Sequence, residues 1–172
     1  MNFPTDMTYQ KDEKEEKENV VDFAAILTGK EKEIPEVDDI LDTGLTIFRF
    51  ANDNKEDKKN DDLKYSVKVT DMDKIKEVHI DIIEKPNEKE RDKEEEKVVV
   101  AELFKSDIPS GEVIGTLCNG TINSQKLKGP LRGKNTKELV KKIEKGEAYV
   151  DIKTEDNPKR KVRGKIKKLA PT

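Results

Sequence analysis

Between Leu63 and Val69 the chain alternates strictly, with Leu63, Tyr65, Val67 and Val69 on one parity and Lys64, Ser66 and Lys68 on the other. A period of two sends successive side chains to opposite faces of an extended backbone, so the stretch predicts a half-buried β-strand. Short apolar runs of similar texture recur along the chain: VVDFAAILTG (20–29), TGLTIFRF (43–50), KIKEVHIDII (74–83), VVVAELF (98–104), EVIGTLCNGTI (112–122), AYVDIKT (148–154) and RKVRGKIKKL (160–169). Gly29 closes the first run, and Pro35 in IPEVDD breaks strand pairing after it. The charged stretches NDNKEDKKNDD and EKPNEKERDKEEEK read as solvated loops. Only NTKELVKKIEKGE changes period: Leu139, Val140 and Ile143 fall at helical spacing, with Asn135 or Thr136 as N-cap and Gly146 as the stop. About eight short strands with turn signals between them and one late, short helix predict an all-β, antiparallel sandwich or barrel.

Composition sharpens this picture. Only 32% of residues are hydrophobic and 42% are charged, yet 35 basic residues nearly balance 38 acidic ones. Clustering of the apolar residues into patterned runs argues for a small folded core under a very charged surface, not for disorder. With no Trp, that core rests on Val, Ile and Leu. The length suits one domain, expected over residues 20–169, between a flexible charged arm (1–19) and a short tail (170–172). The single cysteine, Cys118, excludes an intrachain disulfide and reads as a core thiol. No signal-peptide pattern and no apolar run of membrane-spanning length is visible, so the chain reads as soluble and cytoplasmic.

Several stretches together carry a resemblance. FAAILTGKEKEIPEVDDILDTGLTIFRF resembles the opening of a CHRD (chordin-type) domain, in which an F-x-A-x-L-x-G segment leads to an E-[VI]-P-P-V stretch. LKYSVKVTDMDKIKEVHIDI is similar to the family's second hairpin, which ends in His-Ile-His, and VVVAELF resembles its V-V-V-x-L-F strand. The run from GEVIGTLCNG through KLKGPLRG, the short helix, GEAYVDIKT and NPKRKVRGKI follows the family's order. The resemblance spans about Phe23 to Ile166 and implies an immunoglobulin-like β-sandwich akin to Cu/Zn superoxide dismutase. It also implies a secretion signal, which this chain does not show. Fold does not imply function. In chordin the domain belongs to an extracellular antagonist of bone morphogenetic proteins, and microbial members stand alone, mostly without an assigned function.

Two departures bear on chemistry. His79, the only histidine, stands where the family's His-x-His pair begins, but the second member is Asp81, and a further family histidine position is Lys153. On a strand Glu77, His79 and Asp81 share a face opposite Val78, Ile80 and Ile82, so His79 and Asp81 offer one nitrogen and carboxylate oxygens to a metal. Two ligands fall short of a zinc site, and a lysine at 153 opposes a cation. The expectation is a solvated polar face in which Asp81 and Lys153 have exchanged a metal clamp for an ion pair. A second feature is the C-terminal stripe, with Lys161, Arg163, Lys165 and Lys167 on one strand face, expected to be solvated and countered by neighbouring acids. Cys118 has no evident His partner for nucleophilic catalysis, and GKNTKEL lacks P-loop spacing.

These features point to a non-enzymatic module that binds a protein partner or serves a structural role, with no cofactor. Two alternatives are a copper- or zinc-binding or redox protein of superoxide-dismutase type using His79 and Asp81, and a nucleic-acid-associated protein using the basic stripe. No membrane is expected among its partners, and nucleic acid is the weaker prospect because no aromatic interleaves the stripe. The sequence names neither a partner nor an oligomeric state.

Overall fold

The computed structural model describes residues 19–29, 43–52, 62–84, 89, 95–155 and 162–170. The predicted N-terminal arm up to residue 18, the IPEVDD segment, most of both charged loops and Lys161 lie outside the described residues, while Asn19, placed in the arm by sequence, begins the first strand. Among the described residues nine strands form: β1 (Asn19–Thr28), β2 (Thr43–Asn52), β3 (Leu63–Met72), β4 (Ile75–Glu84), β5 (Glu96–Lys105), β6 (Val113–Ile122), β7 (Ala148–Thr154), β8 (Val162–Lys165) and β9 (Lys167–Lys168). One α-helix among these residues, α1 (Thr136–Glu144), precedes β7. The predicted all-β class therefore holds, and the alternating 63–69 stretch buries Leu63, Val67 and Val69 while Lys64 and Lys68 face water. The last predicted strand is interrupted at Ile166, whose backbone N–H turns to the carbonyl of Ala148.

All pairings are antiparallel, in one sheet of order β5-β4-β7-β8-β1-β2-β3-β6, with β9 also on β1. The sheet curls, and its inner face gathers one apolar cluster with Phe23, Phe48, Leu63, Val78, Val100, Ile122, Val150 and Val162 contributed by β1 to β8 in turn. A side-chain clip links the end strand β5 to β3 and β6. The Leu103 carbonyl of β5 accepts from the Tyr65 hydroxyl at 2.8 Å and from the Cys118 thiol at 3.6 Å. Gly120 makes room for this clip, because a Cβ there would run into the Tyr65 ring and hydroxyl. A closer approach occurs at Gly164, where a Cβ would meet the Ile26 carbonyl of β1. Only glycine lets β8 pass so near β1.

The helix follows its sequence signals with one adjustment. Asn135 is the N-cap, its side-chain oxygen accepting from the Lys137 N–H at 2.9 Å. Thr136, the other candidate, is the first helical residue and is buried. Leu139, Val140 and Ile143 turn inward, and Gly146, at φ +74°, ends the helix with its N–H on the Ile143 carbonyl. Among the described residues no helix is long and apolar enough to cross a membrane.

Candidate functional site

The middle of β4 departs from simple alternation. From Val78 to Ile82 every residue is buried, and in β7 Ala148, Val150, Asp151 and Ile152 are as well. Both faces of these strands are covered. The inner parity carries Val78, Ile80, Ile82, Val150 and Ile152 into the core, so the opposite parity brings polar side chains out of water together.

Register decides which ones meet. His79 of β4 lies directly opposite Asp151 of β7, and Asp151 lies directly opposite Arg163 of β8. Asp81, two residues beyond His79, shares the same face. His79 Nε2 is 3.2 Å from Asp81 Oδ1 and 4.0 Å from Asp151 Oδ2, and Arg163 Nε is 3.4 Å from Asp151 Oδ1. The exposures are 4% for His79, 3% for Asp81, 0% for Asp151 and 7% for Arg163. The solvated face expected for His79 and Asp81 is thus a sealed, charged cluster. Burying such groups is tolerable only because opposite charges and hydrogen-bonding groups face one another.

Arg163 corrects a second expectation. It leaves the solvated stripe, turns to Asp151 and lies over the Tyr149 ring at 4.5 Å from its centroid. Lys165 approaches the same ring at 5.7 Å, and Lys165 and Lys167 stay exposed. The stripe is therefore divided between a buried guanidinium and surface ammonium groups, and the aromatic it contacts comes from the neighbouring strand. The polar cations of lysine keep their hydration, whereas a planar, weakly hydrated guanidinium can stack and pair in the interior.

The anticipated Asp81–Lys153 pair is not what the register assembles. Lys153 lies opposite Glu77, with Nζ 3.9 Å from Glu77 Oε2, while Asp81 lies opposite Tyr149. Glu77 and Asp81 are four positions apart along β4, roughly 13 Å of extended chain. Lys153 thus takes Glu77 as its partner and brings an ammonium, not a metal ligand, to this part of the sheet. The third potential ligand is Asp151, which the sequence reading did not single out.

A three-histidine copper or zinc clamp of the kind the family resemblance suggests does not fit these residues, since two of its positions are Asp81 and Lys153. A different set does converge: one donor atom each from His79, Asp81 and Asp151 lie within 4.8 Å of one another. One imidazole nitrogen with carboxylate oxygens suits zinc or manganese more than soft copper(I).

Cys118 is half-buried beneath the β3–β6 pairing, and burial pushes its thiol up to about 11. Its sulfur bonds to the Leu103 carbonyl, which makes it a packing group of the clip and not an activated nucleophile. On the outer face of β1 and β2, the Arg49 guanidinium forks onto both Asp22 carboxylate oxygens, at 2.9 and 3.1 Å, and holds that carboxyl below its usual range.

The curled, wholly antiparallel sheet with its late helix defines an all-β domain whose charged cluster lies inside the fold. A model of the CHRD domain matches residues 23–166, and the chain belongs to the CHRD domain family. No curated protein and no solved structure matches the chain.

Proposed function

We propose that the protein is a non-enzymatic module that binds a protein partner or serves a structural role through its outer sheet surface. The observation that carries this reading is the closure of the His79–Asp81–Asp151–Arg163 cluster. Its groups have the chemistry for acid–base or metal work, but exposures of 0 to 7% turn them inward to one another, which supports a structural role. The cluster joins β4, β7 and β8, which is a structural task.

The surface supports the binding half of the reading. Ala24 pairs with Ile47 and Ile26 with Leu45, which sets Ile26 and Ile47 diagonally adjacent on the outer face of β1 and β2. Ile26 is 72% exposed, and Lys68 and Arg49 flank the pair. Apolar side chains within a charged rim are the composition of a protein-docking surface.

The test compares wild-type protein with an Ile26→Asp/Ile47→Asp double variant in crosslinking capture from the native source. Both replaced residues are exposed, Ile26 at 72% and Ile47 at 37%, and circular dichroism checks that the variant is folded. The reading expects a specific partner held by wild type and lost by the variant. Equal capture by both overturns this face as the binding surface, and any turnover that disappears in His79→Gln overturns the non-enzymatic assignment.

A further inference from the structure

We infer that His79, Asp81 and Asp151 form a structural site for a divalent first-row cation, with zinc the best match, that ties β4 to β7 inside the fold. The three side chains belong to two adjacent strands, and the pairing of His79 with Asp151 fixes their spacing. All three are at least nine-tenths buried.

The distances suit a shared ion. Nε2 of His79 faces two carboxylates at once, Asp81 Oδ1 at 3.2 Å and Asp151 Oδ2 at 4.0 Å. An N–H on that nitrogen directs its proton to one of them only. A zinc ion about 2.0–2.2 Å from each donor sets tetrahedral donor–donor separations of about 3.3–3.6 Å, between the two separations seen here. The fourth position falls to a second carboxylate oxygen or a water.

Charge permits a cation here. Asp81 and Asp151, when ionised, bring two negative charges into the fold, and Arg163 offsets one, so the low-dielectric interior still holds an excess of negative charge beside His79. Arg163 takes Asp151 Oδ1 and leaves Oδ2 toward His79, an orientation of a ligating carboxylate by an outer partner. The site deepens the structural half of the proposed function without requiring the docking face.

His79 is the only histidine, so its imidazole signals carry no overlap. Because the cluster is sealed, untagged protein is unfolded in urea with chelator and refolded with ZnCl2, with MnCl2, or with chelator alone. The inference expects close to one equivalent of metal retained after dialysis and a displaced His79 Nε2 resonance. It also expects a thermal midpoint at least about 5 °C higher than with chelator when free zinc is 100-fold above Kd. Refolding with CoCl2 gives visible d–d bands, and His79→Gln and Asp151→Asn lose them. Refolded wild type with unchanged His79 resonances and no retained metal overturns the site. That comparison uses wild-type protein alone, so it decides the question even where a variant fails to fold.

Discussion

Replacing Arg163 with methionine removes the guanidinium that faces the fully buried Asp151 while keeping a long apolar side chain in its place. Two losses follow. The Asp151 carboxylate loses one opposing charge in a site without solvent, and the Tyr149 ring loses the cation stacked at 4.5 Å. Removing one partner of a buried pair costs about 3–5 kcal/mol, and a desolvated cation–π contact adds about 0.5–2 kcal/mol. The lower end of the first range applies, since the 3.4 Å separation is longer than a strong hydrogen bond and His79 stays within 4.0 Å of the same carboxylate. The expected loss is about 3–4 kcal/mol in all, which in urea, at an m-value of about 2 kcal/mol/M, lowers the unfolding midpoint by about 1.5–2 M. Equilibrium urea unfolding followed by circular dichroism measures it. The double variant Asp151→Leu/Arg163→Met removes both charges and should recover a large part of the loss, with a coupling of at least about 2 kcal/mol in the double-mutant cycle. A single-variant loss below about 1 kcal/mol with no coupling is the behaviour of a solvated surface pair and would refute the reasoning.

Other expectations follow from the same geometry. Gly164→Ala drives a methyl into the Ile26 carbonyl and should cost about 3 kcal/mol or more, whereas Gly111→Ala, with nothing within 4 Å of the added carbon, should be nearly neutral; thermal melts of the two compare them directly. Tyr65→Phe deletes the hydroxyl that reaches the Leu103 carbonyl and should cost about 1 kcal/mol in urea unfolding, with faster amide exchange along β5 than in wild type. The Cys118 thiol is raised from 9.0 to about 11 in the fold, so the unfolded chain gives up its proton first as pH rises. Its contribution to stability is therefore unchanged below about pH 8 and falls between pH 9 and 11; the drop should be smaller in Cys118→Ala, and thiol titration at pH 8 should be slow until the protein is unfolded.

Much of the fold was legible because its strands carry their own period. The run Leu63–Val69 alternates cleanly, since one face of β3 meets the core and the other meets water. The helix announced itself through the spacing of Leu139, Val140 and Ile143 and through its glycine stop. The choice between Asn135 and Thr136 as cap was not legible, because both side chains are capable of it and only the backbone places Asn135 at the cap. The break at Ile166 was likewise hidden, since 160–169 alternates evenly through it.

The candidate site was half legible. His79 and Asp81 were visible as i, i+2 neighbours, but their burial was not. Alternation marks one apolar face and is silent about whether the polar face is covered too. Asp151 gave a weak signal, an aspartate amid β-formers in AYVDIKT, where that residue type is depleted. What joined it to His79 was register between strands some seventy residues apart, which local pattern does not encode. Arg163 was read as one of four equivalent cations. Its difference from Lys165 and Lys167 lies in the partner across the sheet, Asp151, and in the Tyr149 ring beside it.

The rate at which diethylpyrocarbonate modifies His79, the only imidazole in the chain, tests most directly whether the charged cluster is closed. The account predicts modification in the folded protein at least about 100-fold slower than in the urea-unfolded chain at the same pH, an opening free energy of about 3 kcal/mol or more. Modification of the folded protein at the unfolded rate would place His79 in water and contradict the account.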